Sequence, residues 1–192
     1  EGKSGFEVFN DHRDLLASGL VDAVVVATPN MTHRQVLDDI LPTDLHVLVE
    51  KPLCTTVADC RSAVDAAAGG PADRVVWMGL EYRYMPPTQR LMHEVEAGTV
   101  GNVQMVSIRE HRFPFLHKVG NWNRFNRNTG GTLVEKCCHY FDLMNLVIGT
   151  RPVRVMASGG QAVNHLDETY AGERPDILDH AYVVVEYDGG AR

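Results

Sequence analysis

The chain has 192 residues, with 44% hydrophobic and 22% charged side chains and a formal net charge of −7. That mix excludes a disordered, collagenous or coiled-coil protein and fits one large or two small globular domains. The acidic balance argues against a nucleic-acid binder, and no apolar run reaches the roughly 18 residues a membrane-spanning helix needs. Four cysteines, Cys54, Cys60 and the adjacent pair Cys137 and Cys138, are too few and too irregular for a disulfide scaffold or a zinc knuckle. A reducing, cytoplasmic location follows as the expectation.

In chain order, Phe6–Phe9 reads as a short strand, and Asn10 and Asp11 offer N-caps for a helix that stops at Gly19. Val21–Ala27 is a β-branched run of the kind buried on both faces of a parallel sheet, ended by Thr28-Pro29-Asn30. Thr32 can cap a helix carrying Val36, Leu37, Ile40 and Leu41. His46–Val49 is a second buried strand, closed by Glu50-Lys51-Pro52; Val57–Ala68 is a helix, Arg74–Met78 a strand and Pro86–Ala97 a helix. This alternation predicts a partial Rossmann-type, doubly wound parallel α/β layer.

The rhythm changes near residue 100. Val103–Arg112 alternates like a strand, Thr132–Ile148 like a helix, and Val153–Asn164 and Leu178–Tyr187 are long strands with no helix between them. The expectation is a dinucleotide-binding part over 1–100 and an α+β part with a largely antiparallel open sheet over 101–192.

Three places offer chemistry. Thr28-Pro29-Asn30 and Glu50-Lys51-Pro52 each follow a strand, where open parallel sheets bind ligands. A lysine there can stabilise a developing oxyanion; an ordinary loop and a solvated ion pair are the bland readings. The third lies in Gly130–Asp142, where Glu135 and His139 stand four apart on one predicted helical face and Asp142 follows three later. A carboxylate beside an imidazole suits proton abstraction near neutral pH. A structural pair competes with that reading. The spacing is not that of a zinc motif, so no metal is expected.

Taken in order, Val21–His33, His46–Pro52 and Gly130–His139 resemble the Gfo/Idh/MocA oxidoreductases, the glucose–fructose oxidoreductase and inositol dehydrogenase relatives. The resemblance runs over nearly the whole chain. It implies an NAD(P)-dependent dehydrogenase that moves a hydride between the nicotinamide of NAD or NADP and a carbon of a sugar, cyclitol or related polyol. Lys51 and His139 would be catalytic, with Glu135 orienting the imidazole. Thr28, Pro29, Asn30, His33, Glu50, Lys51 and Arg83 would line the cofactor, and Trp122, Asn123 and Arg124 the substrate. Homo-oligomerisation through the second sheet is also implied.

Two relatives' behaviours stay open at this point: elimination or glycoside cleavage through transient oxidation, and non-catalytic dinucleotide sensing. Glu135 stands where the family usually has Asp, and Asn123 where it often has Arg. The glycine-rich dinucleotide fingerprint is missing, since Gly2 and Gly5 have no preceding strand and the wrong spacing, so the chain reads as an internal piece of a longer protein. Finally, Arg109, Arg112, Lys118, Arg124 and Arg127 make a basic stretch that would either draw an anionic substrate or form a solvated face.

Overall fold

A computed structural model describes residues 5–192, which leaves Gly2 outside the described residues. The chain divides into two compact units between Gly79 and Leu80, upstream of the change of rhythm near residue 100. Helix α4 (Pro86–Glu96) therefore groups with the second unit; there its Gln89 amide donates to the Arg83 carbonyl at 2.6 Å.

The first unit is built on a parallel sheet of three strands in the order β1 (Ala23–Val26), β2 (His46–Val49), β3 (Val76–Met78). Helices α1 (His12–Ala17), α2 (His33–Ile40) and α3 (Val57–Ala68) alternate with the strands. Asp11 caps α1 through the Arg13 amide, and Thr56 caps α3 through the Asp59 amide. Thr32 does not cap α2. Its hydroxyl instead donates to the Pro29 carbonyl at 2.7 Å, bracing the turn before the helix.

The core forms where Leu37, Ile40 and Leu41 of α2 and its C-terminal end, with Ala63 of α3, meet Val26, Val47 and Val49. Burial of the sheet is one-sided among the described residues, because alternate strand residues point the other way and leave Val25 68% and Trp77 47% exposed. Phe6–Phe9 is not a strand: no described strand pairs with it, and Phe6 and Val8 are exposed. Arg74 donates to the Leu41, Thr43 and Ala67 carbonyls and so closes the C-terminal ends of α2 and α3.

In the second unit an antiparallel pair, β4 (Pro152–Gly160) and β5 (His180–Tyr187), backs onto helix α7 (Cys138–Ile148). Val183, Val185 and Tyr187 pack with Phe141, Met144 and Ile148, and the Tyr187 hydroxyl donates to Asn145 Oδ1 at 2.8 Å. Among the described residues, Val103–Arg112 belongs to no strand. Its ladder is confined to Arg192, which exchanges backbone bonds with Gln104 and Val106. The helix expected over Thr132–Ile148 is divided into α6 (Thr132–Glu135) and α7 by a turn at Lys136 and Cys137. Short α5 (Asn126–Thr129) ends on Gly130 and Gly131, at φ 79° and 91°; this double left-handed turn is one that side chains resist.

Candidate active site

Three chain segments meet at the carboxyl edge of the parallel sheet: Ala27–Asn30 after β1, Glu50–Pro52 after β2 and Gly79 after β3. Glu50 folds back so that its Oε2 accepts from the Lys51 amide at 3.2 Å. A Cβ on Gly79 would lie 3.4 Å from both that carboxylate oxygen and the Val49 carbonyl, an ordinary contact distance.

His33 sits at the start of α2 and is 1% exposed. Its Nδ1 lies 2.8 Å from the Pro52 carbonyl and its Nε2 2.9 Å from the Thr28 carbonyl. Both ring nitrogens face backbone carbonyls, one from each strand end, so at least one N–H bond ties the ends together and His33 braces Thr28 and Pro52. Asn30 is also buried, and its Nδ2 finds no acceptor among the described residues. A buried donor left in this state costs about 1–3 kcal/mol unless something else satisfies it.

In the second unit, His139 lies in the first turn of α7 and is 4% exposed. Tyr82 stacks on its imidazole at 4.1 Å between centroids and 11° between planes, and Glu81 Oε2 lies 3.5 Å from Nε2. Both come from a single 3-10 turn, Glu81–Tyr84. That turn is anchored by Arg83, which grips Asp142 through Nε (2.5 Å to Oδ2) and Nη2. The Asp142 hydrogen bond raises the Arg83 pKa above its ordinary value. Arg83, expected to line the cofactor, is thus engaged within its own unit, one turn of α7 beyond His139.

Glu135 is buried at the end of α6, with Lys136 Nζ 4.0 Å from its Oε1. Glu135 ends α6 and His139 lies in the first turn of α7, so the two stand on separate short helices. Next along α7, burial and a hydrogen bond with Glu110 push the Tyr140 hydroxyl well above the usual phenol range, so it stays protonated. Burial raises the Cys137 thiol pKa, and burial first, with Cys60 and Asp59 adding to it, pushes the Cys54 thiol up to about 12; both are poor thiolates at neutral pH.

Trp122 is half-buried, whereas Asn123 and Arg124 are buried. Arg124 Nε donates to Glu168 at 2.6 Å, and Asn123 Nδ2 donates to the Leu116 carbonyl at 2.9 Å. The Arg124 side chain is therefore committed inside the protein, whereas Asn123 keeps a buried Oδ1 that has no hydrogen-bond partner among the described residues. The basic stretch is also largely neutralised: Arg112 faces Glu110, Arg124 faces Glu168 and Arg127 faces Glu173. An anion-attracting field over these residues finds little support in that pairing. His165 and His180 bond to Glu168 and Asp179, which are structural roles.

Reasoning from sequence missed Glu81 and Tyr82 at His139, and Glu168 at Arg124. Contacts so distant in sequence leave no local pattern. Among the described residues, no group of His, Cys, Asp and Glu is arranged to hold a metal ion, and no helix is long and apolar enough to cross a membrane.

Comparison with known proteins agrees on both units. Residues 2–79 match the family model described as the oxidoreductase family, NAD-binding Rossmann fold, and residues 93–192 match that family's C-terminal alpha/beta domain. The chain is 29% identical over 149 residues to the rhizopine catabolism protein MocA of Rhizobium meliloti, covering 78% of this chain and 45% of that protein. It is 29% identical over 192 residues to a myo-inositol 2-dehydrogenase of Thermotoga maritima, covering 98% and 53%. A solved probable dehydrogenase from Thermotoga maritima superimposes with a TM-score of 0.78 at 26% identity, over 95% of this chain and 52% of that one. The chain thus spans about half the length of the relatives it matches.

Proposed function

The chain belongs to the Gfo/Idh/MocA oxidoreductase family, and on that footing we propose that the protein is an NAD(P)-dependent dehydrogenase acting on a sugar, cyclitol or related polyol. The observation that carries the reading is the setting of His139: a buried imidazole, stacked by Tyr82 and faced by a carboxylate. An imidazole held in one orientation is a base suited to removal of a hydroxyl proton.

The strand-end residues fit a dinucleotide. Asn30 Nδ2 is a buried donor in need of an acceptor, and the edge it belongs to is the ligand edge of a parallel sheet. Thr28, Pro29, Asn30 and Glu50 would hold the cofactor there, with His33 bracing them. Bound NAD or NADP supplies the hydride acceptor, or the donor in the reverse direction.

The chain's own residues do the rest. His139 takes the substrate hydroxyl proton. Lys51 donates a charge-assisted hydrogen bond to the oxygen as it becomes an alkoxide. Glu135 and Glu81 supply negative charge that favours the imidazolium formed at His139. Trp122 would provide a wall for the substrate. The protein would assemble with further copies through the β4–β5 sheet, a reading supported by exposed Met156, Tyr182 and Val184.

Replacement of Lys51 by Met tests the assignment. Turnover on a panel of inositols and aldoses should fall by about 10³-fold or more while the dinucleotide Kd stays within about twofold. Loss of dinucleotide binding alone, or glycoside cleavage without net NADH in the unmodified protein, would overturn it.

A further inference from the structure

We propose that Glu168 is a positioning residue for substrate recognition: through Arg124 it fixes the Trp122 segment, making the long β4–β5 connection a determinant of substrate choice. The proposal rests on the reading that Trp122 faces the substrate.

The argument starts from Arg124, which is 1% exposed. A guanidinium cannot be deprotonated at ordinary pH, so once buried it needs an anion beside it. Glu168 is that anion, with Oε2 at 2.6 Å from Nε. The carboxylate is itself held from two further sides. His165 Nδ1 lies 2.9 Å from Oε1, and the Tyr170 hydroxyl donates to Oε2 at 2.8 Å. Tyr170 also meets Phe125 edge-on, with ring centroids 6.2 Å apart.

The same guanidinium reaches back along its own segment. Arg124 Nη1 and Asn123 Nδ2 share the Leu116 carbonyl as acceptor, at 3.4 and 2.9 Å. The loop from Leu116 to Arg124, which carries Trp122, is thereby closed on one oxygen. Its turn holds Gly120 and Asn121 left-handed, at φ 66° and 51°, a conformation that is free for the glycine and unfavourable for the asparagine.

Further ties attach the following residues to the same connection. Asp176 accepts from the Asn126 amide at 2.7 Å, and its own amide donates to the Arg124 carbonyl at 3.2 Å. The connection is itself stiffened where Asp179 accepts three successive amides, those of Ala162, Val163 and Asn164. Residues of the connection can thus reshape the Trp122 loop without touching a substrate. Without Glu168, the buried Arg124 loses its anion, and its bond to the Leu116 carbonyl loosens, leaving Asn123 alone on that oxygen.

The experiment uses the intact protein labelled with 5-fluorotryptophan, the Trp122 resonance being assigned by Trp122→Phe. In Glu168→Gln, which keeps the size and removes the charge, we expect that resonance to shift or broaden. KM for the preferred polyol should rise about fivefold or more, with kcat and the dinucleotide Kd within about twofold. Tyr170→Phe and His165→Gln, each removing one bond, should give smaller changes in the same order and serve if Glu168→Gln does not fold. An unmoved Trp122 resonance with unaltered KM in folded variants overturns the proposal. An unaltered KM in Trp122→Ala overturns the reading of the site beneath it, even where Glu168→Gln moves the resonance.

Discussion

The two units hold their functional groups by different physics. In the first, Thr28 and Lys51 follow β-branched strands, and the strand ends are joined by one buried histidine acting on backbone carbonyls. Apolar packing of Leu37, Ile40, Val47 and Val49 supplies the rigidity. In the second, ion pairs between residues far apart in the chain do the positioning: Arg83 with Asp142, Arg124 with Glu168, Arg127 with Glu173. A core set by periodic apolar residues tolerates pH and salt; a site set by carboxylates does not.

That contrast can be broken or sharpened by experiment. The largest stability loss is expected in the first unit. Leu37→Ala should cost about 2–5 kcal/mol in denaturant unfolding, because it opens a cavity in a fully packed core. A loss well under 1 kcal/mol would show that apolar packing does not dominate there.

Arg124→Met should cost less, about 1–3 kcal/mol, since Glu168 loses its cationic partner yet keeps His165, Tyr170 and some solvent.

The third test is pH. Burial alone would raise the Glu168 pKa, but hydrogen bonds from Arg124, His165 and Tyr170 win and lower it to about 2. A depressed folded pKa means stability that is present above the unfolded value of 4.5 and is lost as pH falls through about 2. Asp179 is also lowered: burial opposes the shift, and the Asn164, Val163 and Ala162 amides with His180 outweigh it. Stability should therefore fall between about pH 5 and 2, and Glu168→Gln should flatten part of that slope. An unchanged slope would count against the carboxylate latch.

The smallest effect belongs to Arg127 and Glu173, both more than half exposed. Arg127→Ala should change stability by about 1 kcal/mol or less, shrinking with added salt.

The same contrast explains what could be read from residues alone. His46–Val49 and Val57–Ala68 appear in the structure with the bounds their patterns predict, because period and caps are local signals. The alternation that marks a parallel layer is equally local. Val103–Arg112 misled because alternation cannot reveal whether a ladder partner is present, and among the described residues only Arg192 pairs with it. Thr132–Ile148 misled because two short helices in tandem share one apolar pattern, and nothing in Lys136-Cys137 signals the break.

At the site, Lys51 stood out because a charged group directly follows a strand, and His139 because Glu135 stands four residues before it and Asp142 three after. Glu81, Tyr82 and Glu168 did not, since their partners lie tens of residues away and obey no period. His33 and Arg124 were visible as residue types, but only burial shows that His33 braces strand ends and Arg124 braces a loop.

The most direct test of the central claim, that Lys51 and His139 act on one substrate carbon, is a double-variant cycle on the single-turnover rate of NADH formation. Lys51→Met and His139→Asn should each lose about 10²–10⁴-fold, and the double variant should fall within about tenfold of the slower single variant, as groups acting in one step do. Losses that multiply in the double variant, or a full rate in either single variant, would contradict it.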